Sequence, residues 1–321
     1  MTPRKPRPKP PEKIARLVEE QQAREEQQRL DFNAEVARLE LEAEKEREVR
    51  RHALETGAIK AQLEIWPEPV RKLPAALMRS ALFAVVKGRE RKKFSDFTLI
   101  AATKDSEIYY RGEELSQYDL TVWMHNLHLA RLLPDGLHKG RVAYKPNAFL
   151  KSIGIKSPNV AAYKQLWESQ LRLQGASIRL YAKSFDYAGS LLSEVKRERE
   201  DADDCRGQTL LALPPTIVEM FSKGDGWQFW DHRLAVHRDP LAQRLMALWS
   251  TFAEPAPYTT ARLFELAGLE TKAARNRRAK LKRVCEALIR IGFLESYCFD
   301  PETDCLHVTR AKLKLADLVQ R

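Results

Sequence analysis

The clearest hydrophobic pattern in the chain lies in residues 271–291. Apolar residues recur there at steps of three and four. This spacing forms one stripe along a helix, made of Ala274, Leu281, Val284, Cys285 and Leu288. At about 100° per residue, the opposite face carries Lys272, Arg275, Asn276, Ala279 and Arg283, with Arg278, Lys280 and Lys282 on the flanks. Only one acid, Glu286, lies in the stretch. The pattern predicts a helix with one packed side and one cationic side.

The neighbouring segments place this helix in a larger motif. Residues 261–268 form a short amphipathic pattern that ends at Gly268, and residues 269–272 are a predicted turn. After Gly292 come two β-rich runs, 293–300 and 305–310, which predict a hairpin. Helix, turn, basic helix and hairpin is the order of a winged helix-turn-helix, whose second helix enters the major groove of DNA. A solvated charged surface helix is the alternative.

The same order of elements is predicted earlier in the chain. Helices are expected at 118–132, 146–153 and 159–173, followed by a wing hairpin formed by 177–183 and 189–195. The inner face of the first of these helices is predicted to carry Leu120, Trp123, Leu127 and Ala130. The inner face of the third is predicted to carry Ala162, Leu166, Gln170 and Leu173. Ser157 is the predicted N-terminal cap of the third helix, because Pro158 suits a first helical position. Ser157, Lys164 and Glu168 are expected to face outward.

Shorter patterns fill the rest of the body. Strands are predicted at 97–103, 107–111, 141–145 and 209–213, with a β-like aromatic segment at 227–230. Helices are predicted at 215–221 and 240–253. Residues 79–86 are an apolar run followed by a basic loop. The end of the chain, up to residue 319, is expected to be helical.

The N-terminal part has a different composition. Residues 1–13 are rich in Pro, Lys and Arg and predict a disordered arm, and residues 14–61 are rich in Glu, Gln, Arg and Ala and predict a long charged helix. Prolines at 67 and 69 end that region. The predicted domains are 1–13, 14–65, 66–213 and 214–321. The predicted fold class is α+β, with two tandem winged-helix domains preceded by the long helix.

The charge distribution indicates a polyanionic partner. The chain of 321 residues has a formal net charge of +11, and residues 1–65 contain equal numbers of basic and acidic residues. The excess therefore lies entirely in residues 66–321, and a basic globular body favours nucleic acid through counterion release and steering.

Several classes of protein are disfavoured by what the sequence lacks. No apolar run approaches the roughly 18 residues of a membrane span, and the N-terminus lacks the apolar stretch of a signal peptide. The cysteines form no C-x-x-C pair and indicate reduced, cytosolic thiols: Cys205, Cys285, Cys298 and Cys305. We expect a cytoplasmic protein.

Four segments resemble the TrfA-type plasmid replication initiators. They are LPAALMRSALFAVVKGRERK from residue 73, IYYRGEEL from 108, LRLQGAS from 171 with Ser157, Asn159 and Tyr163 ahead of it, and RVCEALIRIGFLES from 283. The resemblance covers roughly residues 60–310 in order and spacing. It implies two winged-helix domains that bind repeated origin sequences (iterons), help to open an adjacent A·T-rich segment and recruit the host replicative helicase. It also implies a monomer–dimer equilibrium and no nucleotide cofactor.

The resemblance further suggests contacts with host proteins. The family carries a glutamine-leucine pentapeptide that binds the host sliding clamp shortly before a Trp-Pro pair, and here Gln62, Leu63, Ile65 and Trp66 precede Pro67. Trp66 occupies the phenylalanine position and the spacer is missing, so the alternative is that Ile65 and Trp66 dock the linker. The host initiator is a further implied partner.

Catalytic motifs are scarce. The sequence contains neither G-x-x-x-x-G-K-[ST] nor the H-x-H triplet of nicking initiators, and no pattern places a nucleophile beside a base. His125 and His128 have a spacing that suits a metal, but the expected alternative is a surface or half-buried pair without a metal. Trp227 and Trp230 are expected to anchor the core, although stacking on bases is the alternative. We therefore expect a protein that is not an enzyme and that has no cofactor.

The predicted DNA contacts divide by chemistry. Arg275 and Asn276 are the expected base readers, since Arg suits guanine and Asn suits adenine. Phosphate contacts are expected from Lys272, Lys280, Lys282 and Arg283, with Arg278 beside them. In the first domain the candidates are Ser157, Asn159 and Lys164. A transcriptional repressor or partition-type DNA-binding protein, and a nickase or relaxase, are the alternative functions.

Overall fold

The computed structural model describes most of the body of the chain. The described ranges are 70–86, 90–104, 106–132, 141–182, 185–198, 207–222, 226–270 and 273–311. They all belong to one compact unit. The predicted N-terminal arm, the long charged helix, the Gln62–Trp66 motif, Lys272 and the C-terminal residues from 312 lie outside them.

The described part is a mixed α/β structure with nine helices and small sheets of two to four strands. Its first section contains β1 (Val70–Leu73), α1 (Ala75–Met78), β2 (Phe83–Ala84), β3 (Lys93–Ile100), β4 (Ser106–Glu113), β5 (Leu115–Ser116) and α2 (Gln117–Leu132). Then follow β6 (Arg141–Tyr144), α3 (Pro146–Ser152), α4 (Val160–Gly175), β7 (Ser177–Ala182), β8 (Asp186–Gly189), β9 (Glu194–Arg197) and β10 (Thr209–Ala212).

The final section carries α5 (Pro215–Ser222), β11 (Gly226–Phe229), α6 (Trp230–Ala235), α7 (Pro240–Trp249), β12 (Tyr258–Thr259), α8 (Thr260–Leu266), α9 (Ala274–Arg290), β13 (Leu294–Phe299) and β14 (Cys305–Arg310). Helix α7 ends before the predicted residue 253, at a point where the hydroxyl and carbonyl of Thr251 accept hydrogen bonds from Arg79.

Two hydrophobic cores organise these elements. The first core centres on α2, whose residues from Leu120 to His128 are all buried, and it also includes Phe229 and Trp230. The second core is formed by α7, α8, α9 and the β13–β14 hairpin. We refer to residues 70–235 and 236–311 as the first half and the second half. The antiparallel pairing of β1 with β11 closes the first half on itself.

The first hairpin differs from the prediction. Strand β7 pairs with β8 at Asp186–Gly189 and with β4 on its other side, in a sheet of order β3-β4-β7-β8. The predicted partner at 189–195 is wrong, because Leu191 and Leu192 are adjacent and both buried, which the alternation of a strand on one core face does not allow. Residues 194–197 form β9, which pairs with β10 in another sheet.

The N-terminal cap of α4 is also corrected. The helix begins at Val160, and the Asn159 side chain accepts a hydrogen bond from the amide of Ala162 at 2.9 Å. Ser157, the predicted cap, lies two residues before this position and is exposed. The predicted inner face is confirmed, since Ala162, Leu166, Gln170 and Leu173 are all buried.

Candidate nucleic-acid interface

Helix α9 has the two-sided character that its sequence predicts. Leu281, Val284, Cys285 and Leu288 are buried in the second core. Ala274, predicted on the same stripe, is exposed because it is the first residue of the helix and precedes the turn that packs on the core. Burial raises the pKa of the Cys285 thiol to about 12, so this cysteine stays protonated and packs as an apolar side chain.

The exposed face of α9 is cationic. Arg275, Asn276 and Lys280 are exposed, and neither Arg275 nor Lys280 has an ion-pair partner among the described residues. Lys282 lies 4.0 Å from Glu286, and Arg283 lies 3.4 Å from the carboxylate of Asp239. The side chains of Lys282 and Arg283 remain 64% and 72% exposed. Water therefore screens these ion pairs, and both cations are available to an outside partner.

Asp304 holds the start of α9 in place. Its carboxylate accepts hydrogen bonds from the Arg278 guanidinium and the Thr260 hydroxyl, and Arg277 lies 3.6 Å from it. The amide of Thr260 also donates to the Asp304 carbonyl at 2.9 Å. One residue of the hairpin turn therefore connects β14 to the first turns of both α8 and α9.

The charge on Asp304 is maintained by its partners. Partial burial opposes ionisation, but hydrogen bonds from Thr260 and Arg278 and the nearby Arg277 outweigh it, so the pKa of Asp304 is lower than usual. Its backbone has a φ of 55°, in the left-handed region that Asp tolerates better than most residues. Arg278, which was predicted to contact DNA, is thus an ion-pair partner of this carboxylate.

The β13–β14 hairpin is not cationic. Its exposed residues include Glu295 and Glu302, and the carboxylate of Asp300 accepts hydrogen bonds from the Glu302 amide and the Thr303 hydroxyl. The positive surface of the second half is therefore concentrated on α9, which projects beside the hairpin.

Helix α4 offers a weaker candidate surface. Ser157, Asn159 and Lys164 are exposed, as predicted for Ser157 and Lys164. Their surroundings include Glu168 and the apolar side chain of Val160, which is 55% exposed. The Oδ1 atom of Asn159 already accepts one hydrogen bond in the helix cap, which fixes the orientation of the side chain that an outside partner would meet. The structure thus places the two predicted sets on α4 and α9, and α9 has the stronger positive charge.

Sequence reasoning missed a second surface, on the sheet β3-β4-β7-β8, where aromatic rings and two arginines share a face with the exposed Glu107 and Asp186. Two guanidinium groups contact the ring of Phe97, with the central carbon of Arg179 at 3.9 Å and that of Arg111 at 4.9 Å from the ring centroid. Tyr109 and Tyr181 form an edge-to-face pair at 6.0 Å. The sequence signal for this surface is the alternation of Tyr and Arg in both strands. It predicts a shared surface only once the register Tyr109↔Arg179 shows that these residues lie side by side.

The histidine pair is buried rather than at the surface. His125 and His128 are 4% and 1% exposed, which corrects the expected surface or half-buried position. The His125 ring stacks on Trp230 with centroids 5.8 Å apart, and Phe149 contacts its edge. Trp230 is buried and Trp227 is partly buried against the first core, as expected for core anchors. Within the described ranges no group of three metal-binding side chains occurs.

Cys298 and Cys305 are free thiols, like Cys285, and Cys205 lies outside the described residues. The described helices include none with the length and hydropathy that a membrane span requires.

Comparison with solved structures finds proteins that the chain resembles in fold. A crystal structure of selenomethionine derivatives of domain 2 and domain 3 of RctB has a TM-score of 0.52 and 14% identity, covering 73% of this chain and 97% of that one. A second crystal structure, of RctB domains 2–3, has a TM-score of 0.46 and 13% identity over 74% and 98% of the two chains. No curated protein matches the sequence.

The family comparison covers most of the chain. The family described as TrfA protein matches residues 43–310, a region that contains every helix and strand described above. The cationic face of α9 therefore belongs to the matched region. The chain is a member of the TrfA family, the plasmid replication initiators that its sequence resembles.

Proposed function

We propose that the chain initiates plasmid replication by binding repeated sequences at the origin through two winged-helix modules. The second module is α8, the turn after it, α9 and the β13–β14 hairpin, with α9 in the major groove. The observation that carries the proposal is the exposed cationic face of α9 with Arg275 and Lys280 free of acidic partners in the described part of the chain.

The residues of α9 have separate roles in this proposal. Arg275 and Asn276, in the first turn of the helix, contact base edges, since the N-terminal residues of a recognition helix face the bases. Lys280, Lys282 and Arg283 contact phosphates. Arg278 orients α9 through Asp304, and Lys272, outside the described residues, is a further phosphate contact.

The first module is α3, α4 and the β7–β8 hairpin. Ser157, Asn159 and Lys164 approach the DNA backbone at a second position, and the hydroxyl, amide and ammonium groups suit phosphate oxygens. Because α4 has fewer free cations than α9, the first module adds less affinity than the second.

The sheet surface with Phe97, Arg111, Arg179, Tyr109 and Tyr181 suits an unpaired strand. Aromatic rings stack on bases without sequence preference, and arginines beside them hold the backbone. We place the displaced strand of the opened A·T-rich segment on this surface. An Arg111→Ala/Arg179→Ala variant is expected to lose affinity for single-stranded oligonucleotides while retaining duplex binding.

In this proposal the chain acts by binding and not as an enzyme, and it needs no cofactor. Its protein partners are the host replicative helicase, the host initiator and the sliding clamp, with the clamp contact at Gln62, Leu63, Ile65 and Trp66. The protein works in the bacterial cytoplasm and exchanges between monomer and dimer.

The test is a permanganate footprint on a supercoiled form of the plasmid that encodes the chain and carries its origin. Bound chain is expected to protect the repeats and to make thymines reactive in an adjacent A·T-rich segment. Protection without reactive thymines would favour a repressor or a partition-type binding protein. A covalent protein–DNA adduct in the same reaction would instead indicate a nickase.

A further inference from the structure

Arg244 of α7 joins the two halves of the structure. Its side chain is buried, and its guanidinium donates to the carbonyl of Met78 at 2.9 Å, to that of Ser80 at 2.5 Å and to that of Leu266 at 3.0 Å. Met78 and Ser80 lie in the first half, and Leu266 ends α8 in the second. A planar guanidinium with fixed donor directions satisfies all three carbonyls in only one arrangement of these segments.

Three more hydrogen-bonding contacts cross at the same place. Arg79 donates to the carbonyl of Thr251 at 2.6 Å and to its hydroxyl at 3.1 Å. The amide of Val85 donates to the carbonyl of Ala267 at 2.8 Å, and Arg262 of α8 donates to the carbonyl of Ala102. We call the contacts of residues 78–85 and Ala102 with the second half the joint.

The two halves approach each other very closely at Gly268, at the edge of a cavity that Ala84 and Gly268 both line. This residue follows α8 with a φ of 69°, and a Cβ added to it would lie 2.6 Å from the Cβ of Ala84. Real Cβ atoms do not approach so closely, so the backbone of the second half contacts the first half more tightly here than any other residue would allow.

Helix α8 transmits this placement to α9. Arg262, Leu266 and Ala267 of the α8 region make the joint contacts, while Thr260 at the start of α8 binds Asp304, which holds α9. A second route runs through α6, because Arg233 donates to Thr121 and Gln117 of α2 and accepts from Gln243 of α7. Since α2 packs on α4, both predicted DNA-contacting helices are tied to one rigid frame.

We propose that Arg244 and Arg79 are positioning residues that set how many base pairs separate the two contact positions on DNA. The inference rests on the proposed function, because it needs α4 and α9 to touch one duplex. DNA turns once in about 10–10.5 base pairs, so five extra base pairs rotate one contact position by about half a turn. A rigid joint cannot follow that rotation, whereas a loosened joint accommodates it.

The experiment is a selection from random-sequence duplexes, which works without the repeat sequence being known. The wild-type chain is expected to enrich two short sequence elements at one separation, and five inserted base pairs are expected to lower its affinity at least about tenfold. Arg79→Met and Arg244→Met are expected to enrich the same elements at several separations. Five inserted base pairs are expected to lower the affinity of these variants less than about threefold.

The matched control is Arg172→Met. Arg172 is a partly buried arginine of α4 that binds Asp119 inside the first half and makes no joint contact in the described residues. Its loss weakens the fold without loosening the joint, so this variant is expected to keep the single separation. Thermal unfolding of each variant shows whether it is folded, and if Arg244→Met is not, the half-exposed Arg79 provides the test.

A measurement without DNA separates this inference from the proposed function. Unnatural amino acids carrying spin labels at the exposed positions Lys164 and Lys280 report the distance between α4 and α9. A narrow distribution in the wild type and a broad one in Arg79→Met support the joint even if no sequence is enriched. Equally narrow distributions and an unchanged single separation in folded Arg79→Met and Arg244→Met would overturn it.

Discussion

His125 shows how burial decides the charge of a single side chain. Desolvation, with Arg71 nearby as a second cause, lowers the pKa of its imidazole to about 3. The ring is therefore neutral in the folded protein over the physiological range, stacked between Trp230 and the neighbouring His128. A histidine at this position is a packing residue.

The buried His125 predicts a pH dependence of stability. The unfolded chain protonates this imidazole at about pH 6.5, whereas the folded chain does so only near pH 3. The stability it contributes is complete above pH 6.5 and is lost as the pH falls from there towards 3, by about 1.4 kcal/mol per pH unit. Urea unfolding at pH 7, 6 and 5 is expected to show a shallower loss for His125→Leu than for the wild type. An equal loss of unfolding free energy in the two proteins as the pH falls would contradict this role of His125.

Arg275 predicts a change in sequence preference. It is exposed in the first turn of α9 and has no ion pair in the described part of the protein, so its substitution leaves the fold unchanged. Arg275→Ala is expected to cost about 1–3 kcal/mol in specific binding and to relax the preference at one base pair. Lys282→Ala is the comparison, and it is expected to weaken all sequences alike. Unchanged repeat binding by Arg275→Ala would mean that α9 does not enter the groove as proposed.

At the scale of elements, Asp304 joins a hairpin to two helices. The Asp304→Asn variant keeps a residue that tolerates positive φ but removes the charge that Arg277 and Arg278 contact. It is expected to lower stability by about 1 kcal/mol and to speed amide hydrogen exchange in the first turn of α9. Asp300→Asn, in the same turn but bonded only within it, is the control and is expected to leave exchange in α9 unchanged.

Asp119 performs the same role in the first half, but in a buried setting. Its carboxylate accepts from Arg91 and Arg172 at 2.9 Å each, from Ser169 at 2.7 Å and from the Ser116 amide at 2.7 Å. Burial opposes its charge, yet the two arginines and the hydrogen bonds keep its pKa below the usual value. One side chain of α2 therefore joins β5 and α4 to the core.

The Asp119→Asn variant leaves two arginines without their shared anion. It is expected to destabilise the fold by about 3–5 kcal/mol, as when one partner of a buried ion pair is removed. Glu113→Gln is the matched control, since Glu113 contacts the same arginines at 3.5 and 3.9 Å from a half-exposed position and is expected to cost less than about 1 kcal/mol. Similar denaturant midpoints for the two variants would show that the cluster does not stabilise the fold.

At the scale of the whole molecule, the positive charge predicts a strong dependence of binding on salt. Each phosphate contact steepens the fall of log K with log salt by about 0.9. Lys280→Ala is therefore expected to make the slope shallower by about 1, whereas Lys196→Ala, exposed on β9 in neither proposed module, is expected to leave it unchanged. Equal slopes for both variants would contradict the assignment of Lys280 to phosphate.

Local patterns in the amino-acid sequence were enough to predict the elements and the faces they present. The stripe Leu281, Val284, Cys285 and Leu288 and the hairpin after Gly292 follow from periods of 3.6 and 2, which nearby residues define. The exposure of Arg275, Lys280 and Lys164 follows from the same periods. These features could be predicted because each depends on residues close together in the chain.

Which distant groups meet could be known only from the folded chain. The capture of Arg277 and Arg278 by Asp304, the burial of His125, the partner of β7 and the joint at Arg244 all depend on residues many positions apart. Periodicity assigns a residue to a face but does not say what that face contacts. Close packing and the need to satisfy buried polar groups select one set of contacts, and these were outside the reach of a local pattern.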